Sequence, residues 1–273
     1  MNKPSAAIGT AQQPASAVGA STISVEIDGG VAMVTLSRPP VNAIDPVWLS
    51  RLEEILDVVE HAEKVRVLRI RSSQRAFCAG ADLDFMRTRF ANEKGRSEII
   101  GLTARMQAAY ARLEAMDAVS IAQIGGPALG GGFELALACD LRVVADSATV
   151  GLPEARLGLI PAAGGTQRLT RIGGDALARR LILGAEVIDG TNAVALGLAH
   201  WLVPVGELDD YTRALAQRIA ALPKAALAAC KRAIATALDP ARDGFAVELE
   251  SSAALLALPE TQQRVSRFLA QKK

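Results

Sequence analysis

Strands and helices alternate over the first two-thirds of the chain and give way to helices alone, which predicts an α/β fold with a helical C-terminal region. Short apolar runs closed by Gly, Pro or Asp turn residues supply the strands, and apolar residues recurring every three or four positions supply the helices. The 273 residues are enough for a sizeable core, and 50% hydrophobic with 22% charged residues is the balance of an ordinary globular chain.

Residues 1–21 are rich in Ala, Ser, Gln and Gly, with Lys3 the only charged side chain. They lack both the basic-then-apolar order of a secretory signal and the arginines of a transit peptide, so a disordered tail and a cytoplasmic protein are expected. Ile23–Ile27 and Val31–Leu36 flank Asp28-Gly29-Gly30, which is hairpin chemistry. Asp45 as N-cap with Pro46 at the first helical position opens a helix whose Leu49, Leu52, Ile55, Leu56 and Val59 share one face. A strand over Val65–Ile70, a small-residue loop over Ala76–Asp82 and a long helix from about Arg96 to Ala115 follow. Val119–Ile124 is again a strand, and it runs into the stretch Gly125-Gly-Pro-Ala-Leu-Gly130-Gly-Gly132. A short helix (Phe133–Cys139), a strand (Leu141–Ala145) and a strand-like step (Thr149–Leu152) lead to Pro153-Glu154. From about Gly174 the text is helical, with breaks at Gly190, Pro204, Pro223, Pro240 and Pro259.

Charge and composition exclude whole classes of function. Thirty basic against 29 acidic residues leave +1, too little for a global field that would hold nucleic acid or an anionic membrane. No apolar run is long enough to span a bilayer. His61 and His200 lie away from every motif, and Cys78, Cys139 and Cys230 have neither zinc-ligand nor paired-disulfide spacing. No metal is expected, and the thiols are expected to be free, with Cys78 and Cys139 packed as small apolar residues. A Gly-x-Ser-x-Gly elbow and a Gly-x-x-x-x-Gly-Lys phosphate loop are absent, and Leu135 stands where a dinucleotide fingerprint starting at Gly130 needs its third glycine.

Two small-residue loops remain. Ala76-Phe-Cys-Ala-Gly-Ala-Asp82 is one; Gly130-Gly-Gly-Phe-Glu134, where a strand hands over to a helix, is the other. The first N–H groups of a helix have no internal partner and carry partial positive charge, and glycines let a ligand approach them, so the pattern suits an oxyanion. Three glycines equally suit close packing of strand on helix. Glu134 enters the apolar run Leu135–Cys139, where burial would raise its pKa toward general acid–base use, although a glutamate there also complements the helix dipole. Glu154, 20 residues later, is either its partner or an ordinary loop charge.

In their order these segments are specific. Arg38-Pro-Pro-Val-Asn-Ala43, Ala76-Phe-Cys-Ala-Gly-Ala-Asp-Leu83, Gly130-Gly-Gly-Phe-Glu-Leu-Ala-Leu-Ala-Cys-Asp140, Pro153-Glu154 and Gly158-Leu-Ile-Pro-Ala-Ala-Gly-Gly-Thr-Gln-Arg-Leu169 resemble the enoyl-CoA hydratase/isomerase (crotonase) superfamily, from about Thr22 to the C-terminus. The resemblance implies a crotonase-like ββα spiral core that binds CoA over residues 22–195, and a helical region over 196–273 that serves oligomerisation and covers the active site. It implies an oxyanion hole from the amides of Ala81 and Gly131, and CoA and substrate contacts at Ala43 (beside Asn42), Ala79, Gly80, Asp82 and Leu83. Hydratases of the family carry glutamates at the positions of Glu134 and Glu154, and isomerases often keep only the second. The implied enzyme is therefore an enoyl-CoA hydratase, a hydro-lyase of fatty-acid metabolism. Its partner is an acyl-CoA thioester; it uses no cofactor beyond that CoA and assembles as a trimer or dimer of trimers.

Two positions depart from the pattern. Ala162 stands where many hydratases have glycine, and Asp84 where many relatives carry a lysine that meets CoA phosphates; Lys272 and Lys273, near Phe268, are candidates to compensate. Tyr110, Leu113 and Phe85 fall near the implied acyl chain, but helical spacing equally makes them core. The alternatives to hydration are Δ3-Δ2 isomerisation of an enoyl-CoA and, in another class, RNA binding through Arg66, Arg69, Arg71 and Arg75. With no interleaved aromatics and a net charge of +1, those arginines are expected to be solvated instead.

Overall fold

A computed structural model describes residues 22–271. The tail 1–21 and the candidate contacts Lys272 and Lys273 lie outside the described residues. The chain begins with β1 (Ile23–Asp28) and β2 (Val31–Leu36), paired antiparallel with Ile23 opposite Leu36 and Asp28 opposite Val31. Gly29 and Gly30, at φ 55° and 84°, make the tight turn between them. In α1 (Pro46–His61) the Asp45 carboxylate caps the Trp48 amide at 2.8 Å, and the expected face from Leu49 to Val59 is buried.

Next come β3 (Val67–Ser72), α2 (Leu83–Arg87), α3 (Glu93–Ala115), β4 (Val119–Ile124) and β5 (Ala128–Leu129). They are followed by α4 (Gly131–Leu137), β6 (Leu141–Ala145), β7 (Thr149–Gly151), α5 (Gly165–Leu183), β8 (Val187–Asp189) and α6 (Gly190–Ala195). The chain ends with β9 (Trp201–Val203), α7 (Leu208–Ala220), α8 (Lys224–Thr236), α9 (Gly244–Leu256) and α10 (Pro259–Ala270). The main sheet runs β1-β2-β3-β4-β6-β9, parallel from β2 onward, and β5-β7-β8 form a second, smaller sheet. Each parallel crossover needs a helix or long loop, which explains why the first two-thirds of the sequence alternates.

Several element boundaries differ from expectation. The strand expected over 65–70 is shifted to Val67–Ser72, and α3 starts at Glu93 because the Asn92 side chain caps the Gly95 amide at 2.8 Å. The expectation of helices alone past Gly174 is corrected: α5 starts at Gly165, β8 intervenes, and β9 pairs with β6 in the main sheet. Three-residue strands are too short to show a period. Gly174 (φ 80°, ψ 167°) is instead a kink inside α5. α9 and α10 bury none of their residues in the single chain, and Phe245, Leu249 and Leu256 stand open.

The arginines of β3 are not a solvated face. Arg69 is 3% exposed; its Nε donates to Gln123 Oε1 at 2.8 Å, and its guanidinium also grips Asp209 at the start of α7. Arg71 reaches the same carboxylate at 3.1 Å. Partial burial works against the charged form, but Arg213, Arg69 and Arg71 hold the Asp209 carboxyl down to about 2. Because the folded pKa lies below the ordinary value of 3.8, the stabilisation is present above that value and lost as pH falls through about 2. Asp209→Asn leaves the buried Arg69 without its anion, so a urea titration at pH 7 should show a loss of about 2 kcal/mol after discounting for the carboxylate's exposure.

Candidate active site

The segment from Cys78 to Asp82 is stitched to a different neighbour on each side. Cys78 donates to Pro127 O (3.2 Å) and accepts from the Leu129 amide (3.0 Å), which ties it to β5. Ala79 donates to Val41 O (3.0 Å), Gly80 O accepts from the Ile44 amide (2.8 Å), and Asp82 donates to Ile44 O (2.9 Å). A trans peptide carries its N–H and C=O on opposite sides. With Gly80 O held by Ile44, the Ala81 N–H points away from Ile44.

The same logic orients the second loop. Gly130 O accepts the amides of Phe133 (2.8 Å) and Glu134 (2.9 Å), so the Gly131 N–H in that peptide plane points out of the first turn of α4. Among the described residues, neither the Ala81 nor the Gly131 amide donates to a protein acceptor. The two loops nearly touch: a Cβ on Gly80 (φ +92°) would lie 3.1 Å from Gly131 N.

The three glycines of the run have different structural parts. Gly130 makes the left-handed turn (φ +51°), Gly131 presents its amide, and Gly132 lets α4 pack against the Cys78 backbone.

Glu134 is 2% exposed, and its Oε1 accepts the Gly165 amide at 2.7 Å from the start of α5. Burial, with repulsion from Glu154, pushes its carboxyl up to about 7, against the pull of the Gly165 and Ala163 amides and of Arg168. Glu154 sits in the 3-10 turn Pro153–Leu157, and burial raises its pKa as well. Its Oε2 is buried with no hydrogen-bond donor. Glu134, Glu154, Ala81 and Gly131 line one cavity of about 820 Å³. The expected CoA contacts Ala43, Ala79, Gly80, Asp82 and Leu83 lie in the same wall.

The side chain of Asp82 already has structural partners: it caps α2 through the Phe85 amide (3.0 Å) and holds Arg38 at 2.7 Å. Arg38 in turn meets Asp45 and the Ala43 carbonyl. Asn42, beside Ala43, is wholly buried; its Nδ2 donates to Ser72 Oγ (2.8 Å) and Phe77 O (3.0 Å), so it braces the loop from behind. Asp84 is exposed and pairs with Arg87 at 3.0 Å, a cation that balances it locally. The Ala162 carbonyl accepts from Gln107 of α3 at 2.6 Å. Sequence reasoning missed the Gly165 amide as the partner of Glu134. The available signal was Gly164-Gly165-Thr166, since glycines ahead of a helix mark a start whose first amides are free.

Residues 26–273 match the family model described as enoyl-CoA hydratase/isomerase. The chain belongs to the enoyl-CoA hydratase/isomerase family. It is 42% identical over 222 residues to human enoyl-CoA hydratase domain-containing protein 2, mitochondrial, covering 78% of this chain and 74% of that one. It is 30% identical over 256 residues to the short-chain-enoyl-CoA hydratase of Clostridium acetobutylicum, covering 93% and 96%. Among solved structures, the enoyl-CoA hydratase from Bacillus anthracis superposes with a TM-score of 0.85 at 31% identity, over 92% of this chain and 96% of that one. The fold is therefore the crotonase fold that the motifs implied. The mitochondrial name of the human relative gives no support to a cytoplasmic location. No helix among the described residues is long and apolar enough to cross a membrane.

Proposed function

We propose that this enzyme hydrates a 2-enoyl-CoA to the 3-hydroxyacyl-CoA. The observation that carries the reading is the pair Glu134 and Glu154 in one cavity with the outward amides of Ala81 and Gly131. Glu134 takes a proton from water as the water oxygen bonds to C3. The C2=C3 electron pair shifts onto the thioester oxygen as an enolate, and Glu154 delivers its proton to C2. Water and the two carboxyls balance the step, so it needs no cofactor beyond the CoA of the substrate.

The roles follow from hydrogen bonding. The Gly165 amide favours the charged form of Glu134, the base, while the oxygen of Glu154 that lacks a donor suits the proton carrier. Each amide aimed at the enolate oxygen contributes about 3–4 kcal/mol to the transition state, and the base about 10²–10⁴-fold. The CoA portion lies along Ala43 and the backbone of Ala79–Leu83. The open face of α9 and α10 is where subunits meet in a trimer or a pair of trimers, with the 196–273 region covering the active site; sedimentation equilibrium tests that assembly.

Because the base must be ionised and its carboxyl is pushed up to about 7, kcat/KM should fall as pH drops through about 7, and not through the usual carboxylate range. A pH–rate profile on crotonyl-CoA checks this, and an acid limb near the ordinary glutamate value of 4.5 would contradict it. The test of the reaction itself is the loss of conjugated-thioester absorbance when enzyme is added to crotonyl-CoA. No loss, with turnover of a 3-enoyl-CoA, would replace hydration by isomerisation.

A further inference from the structure

We propose that Tyr110 is a positioning residue that holds the Gly131 amide in the direction of the developing enolate oxygen. Tyr110 lies on α3, is wholly buried, and donates its hydroxyl to Gly131 O at 3.0 Å. Helical spacing accounts for an apolar ring at this position but not for a hydroxyl. A phenylalanine would fill the same space with no polar atom to satisfy, whereas a buried hydroxyl requires a partner. Its partner is the backbone of the residue whose amide faces the cavity.

That residue opens a short helix, and a hold from outside adds to the helix's own bond at its carbonyl. α4 has only seven residues, and its N-cap, Gly130, has no side chain with which to cap it. Gly131 has no side chain to anchor either; a Cβ there would come 2.9 Å from Met106 Cε and 3.3 Å from Ile44 Cδ1. The Gly130 carbonyl, held by the Phe133 and Glu134 amides, fixes the peptide on one side of the Gly131 Cα. Tyr110 fixes the Gly131 carbonyl on the other side. With both peptide planes held, the N–H has no room to swing. A donor aimed in advance stabilises a developing charge at no reorganisation cost. Burial drives the Tyr110 pKa well above its ordinary value, so the hydroxyl remains a donor at every pH where the enzyme works.

The inference rests on the proposed role of the Gly131 amide. Tyr110→Phe keeps the ring and deletes the donor. On crotonyl-CoA, kcat should fall by about tenfold with KM changed less than about twofold, and the acid limb of the pH profile should stay in place. A second readout needs no turnover: acetoacetyl-CoA ionises to an enolate that absorbs in the near ultraviolet. The pKa of this probe when bound to Tyr110→Phe should lie about one unit above its value on the wild type. An unchanged kcat with an unchanged probe pKa would overturn the inference, as would a fall in melting temperature with both kept. If the wild type leaves crotonyl-CoA unchanged but favours the bound enolate, and Tyr110→Phe loses that preference, the inference stands and hydration falls.

Discussion

Glu134→Gln should leave a folded protein whose hydration of crotonyl-CoA is slower by about 10²–10⁴-fold, the ordinary worth of a positioned base. Gln keeps the length of the side chain and an oxygen that can still accept the Gly165 amide, so the loop at the start of α5 should hold its place. Only the capacity to take a proton is deleted. Stability should move the other way. The wild-type carboxyl goes from its ordinary value of 4.5 to about 7 on folding, so folding favours its protonated form. The stability it contributes is complete below about 4.5 and is lost as pH rises through about 7. The glutamine variant does not titrate there. Its unfolding free energy from urea titration should match the wild type in acid and exceed it at pH 8, by about 1–3 kcal/mol. Hydration that survived the substitution would withdraw Glu134 as the base and leave the proton transfers to Glu154.

What was legible in the sequence was whatever depends on local chemistry. Asp28-Gly29-Gly30 makes a hairpin in any context that lets its flanks pair, and Asp45-Pro46 starts a helix because cap and ring act within one turn. The site was legible for a related reason. Its proposed donors are backbone amides, and the glycines that bare a backbone are visible as letters: Gly80, Gly130 and Gly131 mark the two loops directly.

What was hidden depends on partners far away in the chain. Arg69 looked like a solvated charge because its counterion, Asp209, lies 140 residues downstream. Tyr110 looked like core because its acceptor is a carbonyl 21 residues away, which carries no side-chain signature. β9 went unseen because three residues show no alternation, and only the exposed edge of β6 makes them a strand.

The glycine run offers the sharpest test of how fold and site share one backbone, because adjacent residues should fail in opposite ways. A Cβ on Gly132 would lie 2.1 Å from Cys78 O, 2.6 Å from Cys78 C and 2.7 Å from Cys78 Cβ. All are atoms of a segment held on both sides by hydrogen bonds to Val41, Ile44 and β5, so none can yield alone. Either α4 or the Cys78–Asp82 segment has to move by about an ångström, and the site amides move with it. Gly132→Ala should therefore be destabilised by about 3–5 kcal/mol in urea, with little activity in whatever folds. Gly130→Ala meets only the Glu154 carboxyl, Oε1 at 2.8 Å and Cδ at 3.4 Å, the end of a side chain that can swing. At φ 51° and ψ −129° an alanine is strained by about 1–3 kcal/mol, so the variant should fold. The displaced carboxyl should instead depress kcat. Wild-type stability in Gly132→Ala would mean that α4 does not pack on Cys78 as described, and the two amides would lose the common support that makes them neighbours.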